Sequence, residues 1–508
     1  MSGAILDASR AALPDRSVEI CIVGSGCGGA TAAQVLAEAG HEVLVLEEGS
    51  DRTGRALTQR DAAMYDALYM DRGGRATDDL AISVMQGRAL GGGGVINAAD
   101  VVPIPDGVLA HWERRFGLGE MTRALGPYRE RALADLRASR IDESQVNEAN
   151  RLLRAGAQAL GWRGEVMLHN RRNCGGLGTC LIGCPLDAKQ GPRFVAIPAA
   201  LSAGASFVLR ARAVRIEGAT QGTKTVVCRV LDSAGHHERG EVRIRAQHVI
   251  VAASAVSSAQ LLLRSGVGNE HVGQHLMLQP QLPLVARFAQ PVRAFRGIPQ
   301  SFAITEFEQE AHPEHGLWGF RIEAVMGTPG IVGSLLPFVG AKGPQMMAEY
   351  DHIAAALLLI PDAPSGRVSV LPSGRVRVDY TARPDLLERA RAAVRAGAKA
   401  YLAAGAVEVL VPVVPPIVIR SLADLEEVDA LDLRPATAPL LSAHQQGTLR
   451  FAASPRDGAL DLRGRVHGTT GVYVFDSSGF PSSASSHTMT PILTVSRYLA
   501  DRLVASLT

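Results

Sequence analysis

The apolar positions of this 508-residue chain fall into runs of three kinds. Near the N-terminus, Val18-Glu19-Ile20-Cys21-Ile22-Val23 predicts a strand, Ala30 to Ala39 a helix, and Val43-Leu44-Val45-Leu46 a second strand that ends at Glu47. Residues 108–160 are rich in Arg, Glu, Ala and Leu and predict helices. A strand-rich stretch from Ser206 to Val251 follows, punctuated by Gly218, Gly222 and Gly235, and Ser257 to Arg264 predicts a helix. Alternating patterns with many glycines and prolines fill 276–434 and predict an antiparallel sheet with helices, one of them from Pro384 to Ala404. Within that region, the unbroken run Ile353 to Ile360 suits a buried strand. The last 70 residues return to strand and helix, and no internal repeat is evident.

Composition narrows the class. Hydrophobic residues make up 47% of the chain and the formal charge is +2, which argues against disorder and against a surface for nucleic acid. No apolar run approaches the roughly 18 residues that a membrane span needs. Residues 1–17 lack the apolar core of a signal peptide, and six cysteines in a chain this long do not read as a disulfide framework. A cytoplasmic location is the expectation.

The turn between the first strand and helix reads Gly24-Ser25-Gly26-Cys27-Gly28-Gly29, and Glu47 lies 18 residues after Gly29. This is a dinucleotide-binding pattern. Gly24 permits the tight turn, Gly26 the approach of a pyrophosphate, and Gly29 close packing of helix on strand. Free N–H groups at the helix start favour the phosphates, and Glu47 would accept the ribose hydroxyls. A second glycine cluster, Gln86 to Asn97, includes Arg88, Gly91 and Gly92 and would let backbone run against a flat ligand. Near the C-terminus, His444 sits in His444-Gln445-Gln446-Gly447-Thr448 and His487 follows Pro481 by six residues. An imidazole is the side chain best suited to accept a proton near neutral pH.

Together these segments resemble the glucose-methanol-choline (GMC) family of FAD-dependent oxidoreductases over nearly the whole length. Gly24 to Gly29 with Glu47 match its FAD fingerprint, and Gly87 to Asn97 resembles its first signature. Ala253 to Gly268 resembles the second signature, and Asp476, Ser478 and Pro481 match its D-x-S-x-x-P. Gly94, Ser254 and Ala259 depart from the signatures without removing a chemical group. The resemblance implies an α/β (α+β) fold, with a Rossmann-like FAD domain and a discontinuous antiparallel-sheet substrate domain. The corresponding division is 1–107, 185–275 and 435–508 for the FAD domain, 108–184 for a cap, and 276–434 for the substrate domain. It also implies cofactor contacts from Arg88, Gly91, Gly92, Asn97, Val214, Asp476 and Ser478. Ile96 stands where members with covalent flavin have His, so the FAD is expected to be non-covalent.

By the same resemblance, His444 and His487 are the catalytic pair, His444 as base and His487 as its hydrogen-bonding partner. Thr490-Pro491-Ile492-Leu493-Thr494 mimics the N-P-x-x-T that holds the second residue in other members. Spacing from Pro481 and to Asp501 favours His487 over Thr490. The expected reaction is oxidation of an alcohol, with electrons passing to O2 or another acceptor. A lyase or photodecarboxylase on the same scaffold is the alternative. Phe302, Trp318, Phe320, Leu335, Leu336 and Phe338 lean the substrate towards an apolar or bulky alcohol. The segment Cys174, Cys180, Cys184 could hold an iron–sulfur cluster, as in some GMC dehydrogenases, but lacks a fourth cysteine. Buried structural thiols and no metal are expected there.

Overall fold

The computed structural model describes residues 3–11, 13–338 and 342–507. Two large sheets organise it, each with its own hydrophobic core. The first has the strand order Ile5–Asp7, Ser206–Leu209, Val43–Glu47, Arg16–Val23, Glu238–Val251, Lys224–Leu231, Ala211–Glu217, and Val472–Val474 pairs with Glu238–Val251. Its first five strands and Val472–Val474 run parallel, while Ala211 to Val251 forms an antiparallel meander on one side. The parallel strands are buried on both faces, which is why Ile20, Ile22, Leu44 and Leu46 sit beside equally apolar neighbours without alternation. Helices Cys27–Glu38, Ala196–Ser202 and Met489–Leu507 pack together over this sheet.

The second sheet has the order Ile417–Ile419, Glu408–Val411, Gln281–Arg287, Ile353–Leu359, Arg321–Val325, Phe302–Ile304, Gly164–Val166. These pairs are antiparallel. The short strand Leu440–Ser442 joins it to Ile82–Val84. Helices Pro384–Ala403 and Glu148–Ala159 cover one face, filling it with Leu282, Leu284, Ile322, Ala356 and Leu358. The opposite face presents Val285, Val325, Ile353, Ala355 and Leu357 to a cavity. Both faces are therefore apolar, and this explains the unbroken run at 353–360.

The helix expected from Ala30 begins three residues earlier, at Cys27, inside the glycine turn. The other expected helices lie at Ala255–Ser265 and Pro384–Ala403, and three helices, Asp106–Phe116, Gly119–Asp135 and Glu148–Ala159, occupy 108–160. Among the described residues, no helix is long and apolar enough to cross a membrane.

Candidate active site

A cavity of about 800 Å³ lies between the two sheets. One wall is backbone. Gly24 has φ 100°, and an added Cβ would meet the Ala252 carbonyl oxygen at 2.4 Å, so only glycine makes this turn. The second glycine cluster comes down on the first: a Cβ on Gly92 would lie 2.7 Å from the Cα of Gly26. A Cβ on Gly26 would meet nothing closer than 3.9 Å, and this residue faces the cavity. Gly29 is off the wall; its Cβ would strike the Gly24 carbonyl oxygen at 1.9 Å, so it serves helix–strand packing. Gly91 turns the chain at φ 101°, and its N–H donates to the Ser25 hydroxyl, linking the two glycine segments. The Glu47 carboxylate accepts from the Ser25 hydroxyl at 2.6 Å and the Gly49 N–H at 2.7 Å. Burial raises its pKa above the ordinary range.

His444 and His487 meet in the middle of the cavity wall, with ring centroids 4.8 Å apart and planes at 72°. His444 Nδ1 lies 3.1 Å from Gln279 Oε1 and 3.3 Å from Gln281 Nε2. The tautomer with its proton on Nδ1 makes the shorter of these bonds and leaves Nε2 as a lone pair. No described residue hydrogen-bonds that atom. Burial pulls the His444 pKa down to about 3, with the nearby His487 adding to the effect, so the ring is neutral. Thr490 is fully buried and off the cavity wall, whereas His487, Thr488 and Met489 are on it.

The surroundings of His487 are the opposite. Its Nε2 lies 2.9 Å from both oxygens of Glu323, and its Nδ1 lies 3.9 Å from Asp100 Oδ2. Burial opposes protonation, but the Glu323 carboxylate outweighs it, with help from Asp100, and the pKa is raised. Glu323 is fully buried and also accepts from Arg321 Nε and Gln300 Nε2. Despite burial, His487 and Arg321 hold its carboxyl well below the usual range. Asp100 Oδ1 lies 2.7 Å from Nε2 of His169, whose Nδ1 accepts from Arg171 Nε at 2.6 Å.

Asp100, His169, Gln279, Gln281 and Glu323 were not among the residues expected at the site. The signal for Glu323 was present: Arg321 and Glu323 interrupt an otherwise apolar strand, Phe320 to Met326. Gln279 and Gln281 likewise flank Pro280 at the head of an apolar strand.

The expected contacts differ in placement. Asn97 lines the cavity, and its buried Oδ1 has no hydrogen-bond partner among the described residues. Arg88 lines it too, with its guanidinium donating to the carbonyls of Gly235 and Asp66. Asp476 is on the wall, where it accepts from the Ser254 N–H and the Ser258 and Ser478 hydroxyls. Ser478 itself is behind it, in a supporting position. Val214 is not on this wall: of its strand, Ala211, Arg212 and Ala213 reach the cavity, and the strand leaves it after Ala213. Of the expected substrate-side residues, Leu335 and Leu336 line the cavity. Phe302, Trp318 and Phe320 are buried away from it, and Phe338 packs on the second core instead.

A family model for GMC oxidoreductases matches residues 65–281, a second one matches 363–496, and an NAD(P)-binding Rossmann-like model matches 22–81. The chain belongs to the GMC oxidoreductase family. An uncharacterized GMC-type oxidoreductase of Mycobacterium tuberculosis is 33% identical over 495 residues, covering 95% of this chain and 75% of that protein. A long-chain-alcohol oxidase of Arabidopsis thaliana is 26% identical over 99% of this chain and 70% of that protein. Among solved structures, a variant of the formate oxidase from Aspergillus oryzae superposes with a TM-score of 0.68 at 16% identity, covering 97% of this chain and 99% of that one. The pyridoxine 4-oxidase from Mesorbium loti gives 0.67 at 16% identity, covering 96% and 99%. These two likenesses concern the fold.

As a GMC oxidoreductase the chain is a flavin-dependent enzyme acting on CH–OH donors. The residues present suit FAD. The helix Cys27–Glu38 starts at Gly26 with no side-chain cap, so its N–H groups are available to a pyrophosphate. The orphaned Oδ1 of Asn97 offers an acceptor on the same wall. The cysteine segment packs behind this wall. Arg171 reaches the sulfurs of Cys180 at 3.2 Å and Cys174 at 3.8 Å. The buried Lys189 donates to the carbonyls of Val95, Asn97 and Cys180 at 2.5, 2.9 and 2.8 Å, and burial lowers its pKa to about 8. The segment thereby fixes the turn that carries Asn97.

Proposed function

We propose that this enzyme oxidises an apolar alcohol to the aldehyde or ketone with non-covalent FAD. One observation carries the reading: two imidazoles, one held by the amides of Gln279 and Gln281 and the other by the Glu323 carboxylate, face each other where the glycine-built cleft opens into an apolar arm of the cavity. FAD, once bound, supplies the hydride acceptor. His444 takes the hydroxyl proton on Nε2, and the amides of Gln279 and Gln281 fix its ring. His487 presents Nδ1–H to the substrate oxygen and holds the carbinol carbon in line. The arm, lined by Val285, Val325, Ile331, Leu335, Ala355 and Leu357, strips water from the substrate's alkyl portion. The long-chain-alcohol oxidases among the relatives support an alkyl substrate. Ile96 packs at the cavity wall and provides no nitrogen for a flavin bond.

The test is anaerobic flavin bleaching with primary alcohols of increasing chain length. Long alcohols are expected to reduce the flavin and short ones to do so poorly. Parallel assays of peroxide and of dye reduction identify the acceptor. A flavin that no alcohol reduces would overturn the reading in favour of a lyase or photodecarboxylase.

A further inference from the structure

Resting on the alcohol-oxidation reading above, we propose that Glu323 is a positioning residue that keeps His487 as an imidazolium with Nδ1–H aimed at the substrate oxygen. The two histidines then have fixed, unequal roles before substrate arrives.

Glu323 faces Nε2 with both oxygens at 2.9 Å, and a carboxylate accepts only from a protonated nitrogen. Nε2 therefore carries hydrogen. Nδ1 is 3.9 Å from Asp100 Oδ2, too far for a hydrogen bond, and both residues line the cavity. Asp100 Oδ1 lies 2.7 Å from Nε2 of His169, whose Nδ1 accepts from Arg171. The Asp100 carboxylate favours hydrogen on the His487 Nδ1 that it faces without capturing that hydrogen.

The neighbouring charges point the same way. Glu323 and Asp100 face His487 directly, and their atoms and those of His487 lie within 4.8 Å of one another. Arg321 lies on Glu323 and divides its remaining charge between Glu308 and Glu165. Arg171 lies beyond His169, and the neutral His444 is the other titratable neighbour. Arg321 cannot neutralise Glu323, Glu308 and Glu165 alone, and a proton on His487 offsets part of the remaining negative charge. A cation beside the substrate oxygen stabilises the charge that develops as His444 removes the hydroxyl proton. It also holds the neighbouring His444 neutral, as a base requires.

The first measurement uses the wild-type holoenzyme without substrate, labelled with ¹⁵N-histidine and assigned with His487→Asn. His487 is expected to show two protonated nitrogens at pH 8. In Glu323→Gln, which keeps shape and flavin, the ring is expected to lose a proton about 1–3 pH units lower. The second measurement is the pH profile of anaerobic flavin reduction by alcohol. The wild type should lose rate on the alkaline side as His487 deprotonates, and Glu323→Gln should move that limb down by the same interval. A merely structural role for Glu323 would lower the rate at every pH and leave the limb in place. A neutral His487 at pH 8 in the wild type overturns the proposal whether or not the variant folds, and so does an unmoved limb. A protonated His487 in an enzyme that no alcohol reduces would sink the alcohol reading and leave the ion pair standing.

Discussion

The two walls of the cavity are built by opposite means. The wall from the first sheet is backbone, with Gly24, Gly26 and Gly92 so close that most of them have no room for a Cβ. The wall from the second sheet is side chain, with Val285, Ala355 and Leu357 standing out from strands whose other face is already a core. A backbone wall recognises what every member of the family binds, through N–H groups and close approach. A side-chain wall is free to change its volume one residue at a time. The contrast explains why the first wall carries a readable motif and the second does not.

The largest expected effect tests the backbone wall. Gly26→Val has 3.9 Å of clearance in the protein, so the chain should fold, but the new side chain occupies the space where a pyrophosphate approaches. Purified variant should be colourless, whereas the wild type should be yellow and release all its FAD on acid precipitation. Chromophore left in the precipitate would contradict non-covalent binding.

Next come the histidines where the two walls meet. His444→Ala and His487→Ala should each keep FAD and slow its reduction by about two to four orders of magnitude, measured by stopped flow. The double variant should be much less than additively worse, since both act on one hydroxyl. With the His444 pKa near 3, the rise in rate that marks an unprotonated base falls well below neutral pH. Between pH 5 and the alkaline limb set by His487, the profile should be flat.

The side-chain wall should answer more mildly and selectively. Ala355→Phe fills the apolar arm without touching either histidine, and should lower kcat/KM for long alcohols by about tenfold to a hundredfold while sparing short ones. Equal losses for both would mean that the arm does not hold the substrate. The smallest effect is expected at Thr490→Ala, off the wall, where kcat should stay within about twofold of wild type. A dead Thr490→Ala beside an active His487→Ala would reverse the assignment of the second catalytic position. Elemental analysis should find no iron, because Arg171 places a cation against Cys174 and Cys180.

Local pattern was enough for the parts of this protein that depend on local chemistry. The strand–glycine–helix–strand unit with Glu47, the second glycine cluster and the His444 and His487 motifs are contiguous, and backbone conformation imposes each of them on the sequence directly. The buried run at 353–360 was legible for the same reason, as continuous apolarity marks a strand covered on both faces. Val214 lies one residue beyond the part of its strand that reaches the cavity, and a motif does not encode where a strand leaves a cavity wall. Only the tertiary structure could bring Glu323, 164 residues from His487, and Asp100 from the glycine segment onto one imidazole. It likewise set Gln279 and Gln281 against His444. The motif determined that two imidazoles would be present. Their opposite protonation is a property of the field around each ring, and that field is assembled from residues far apart in the chain.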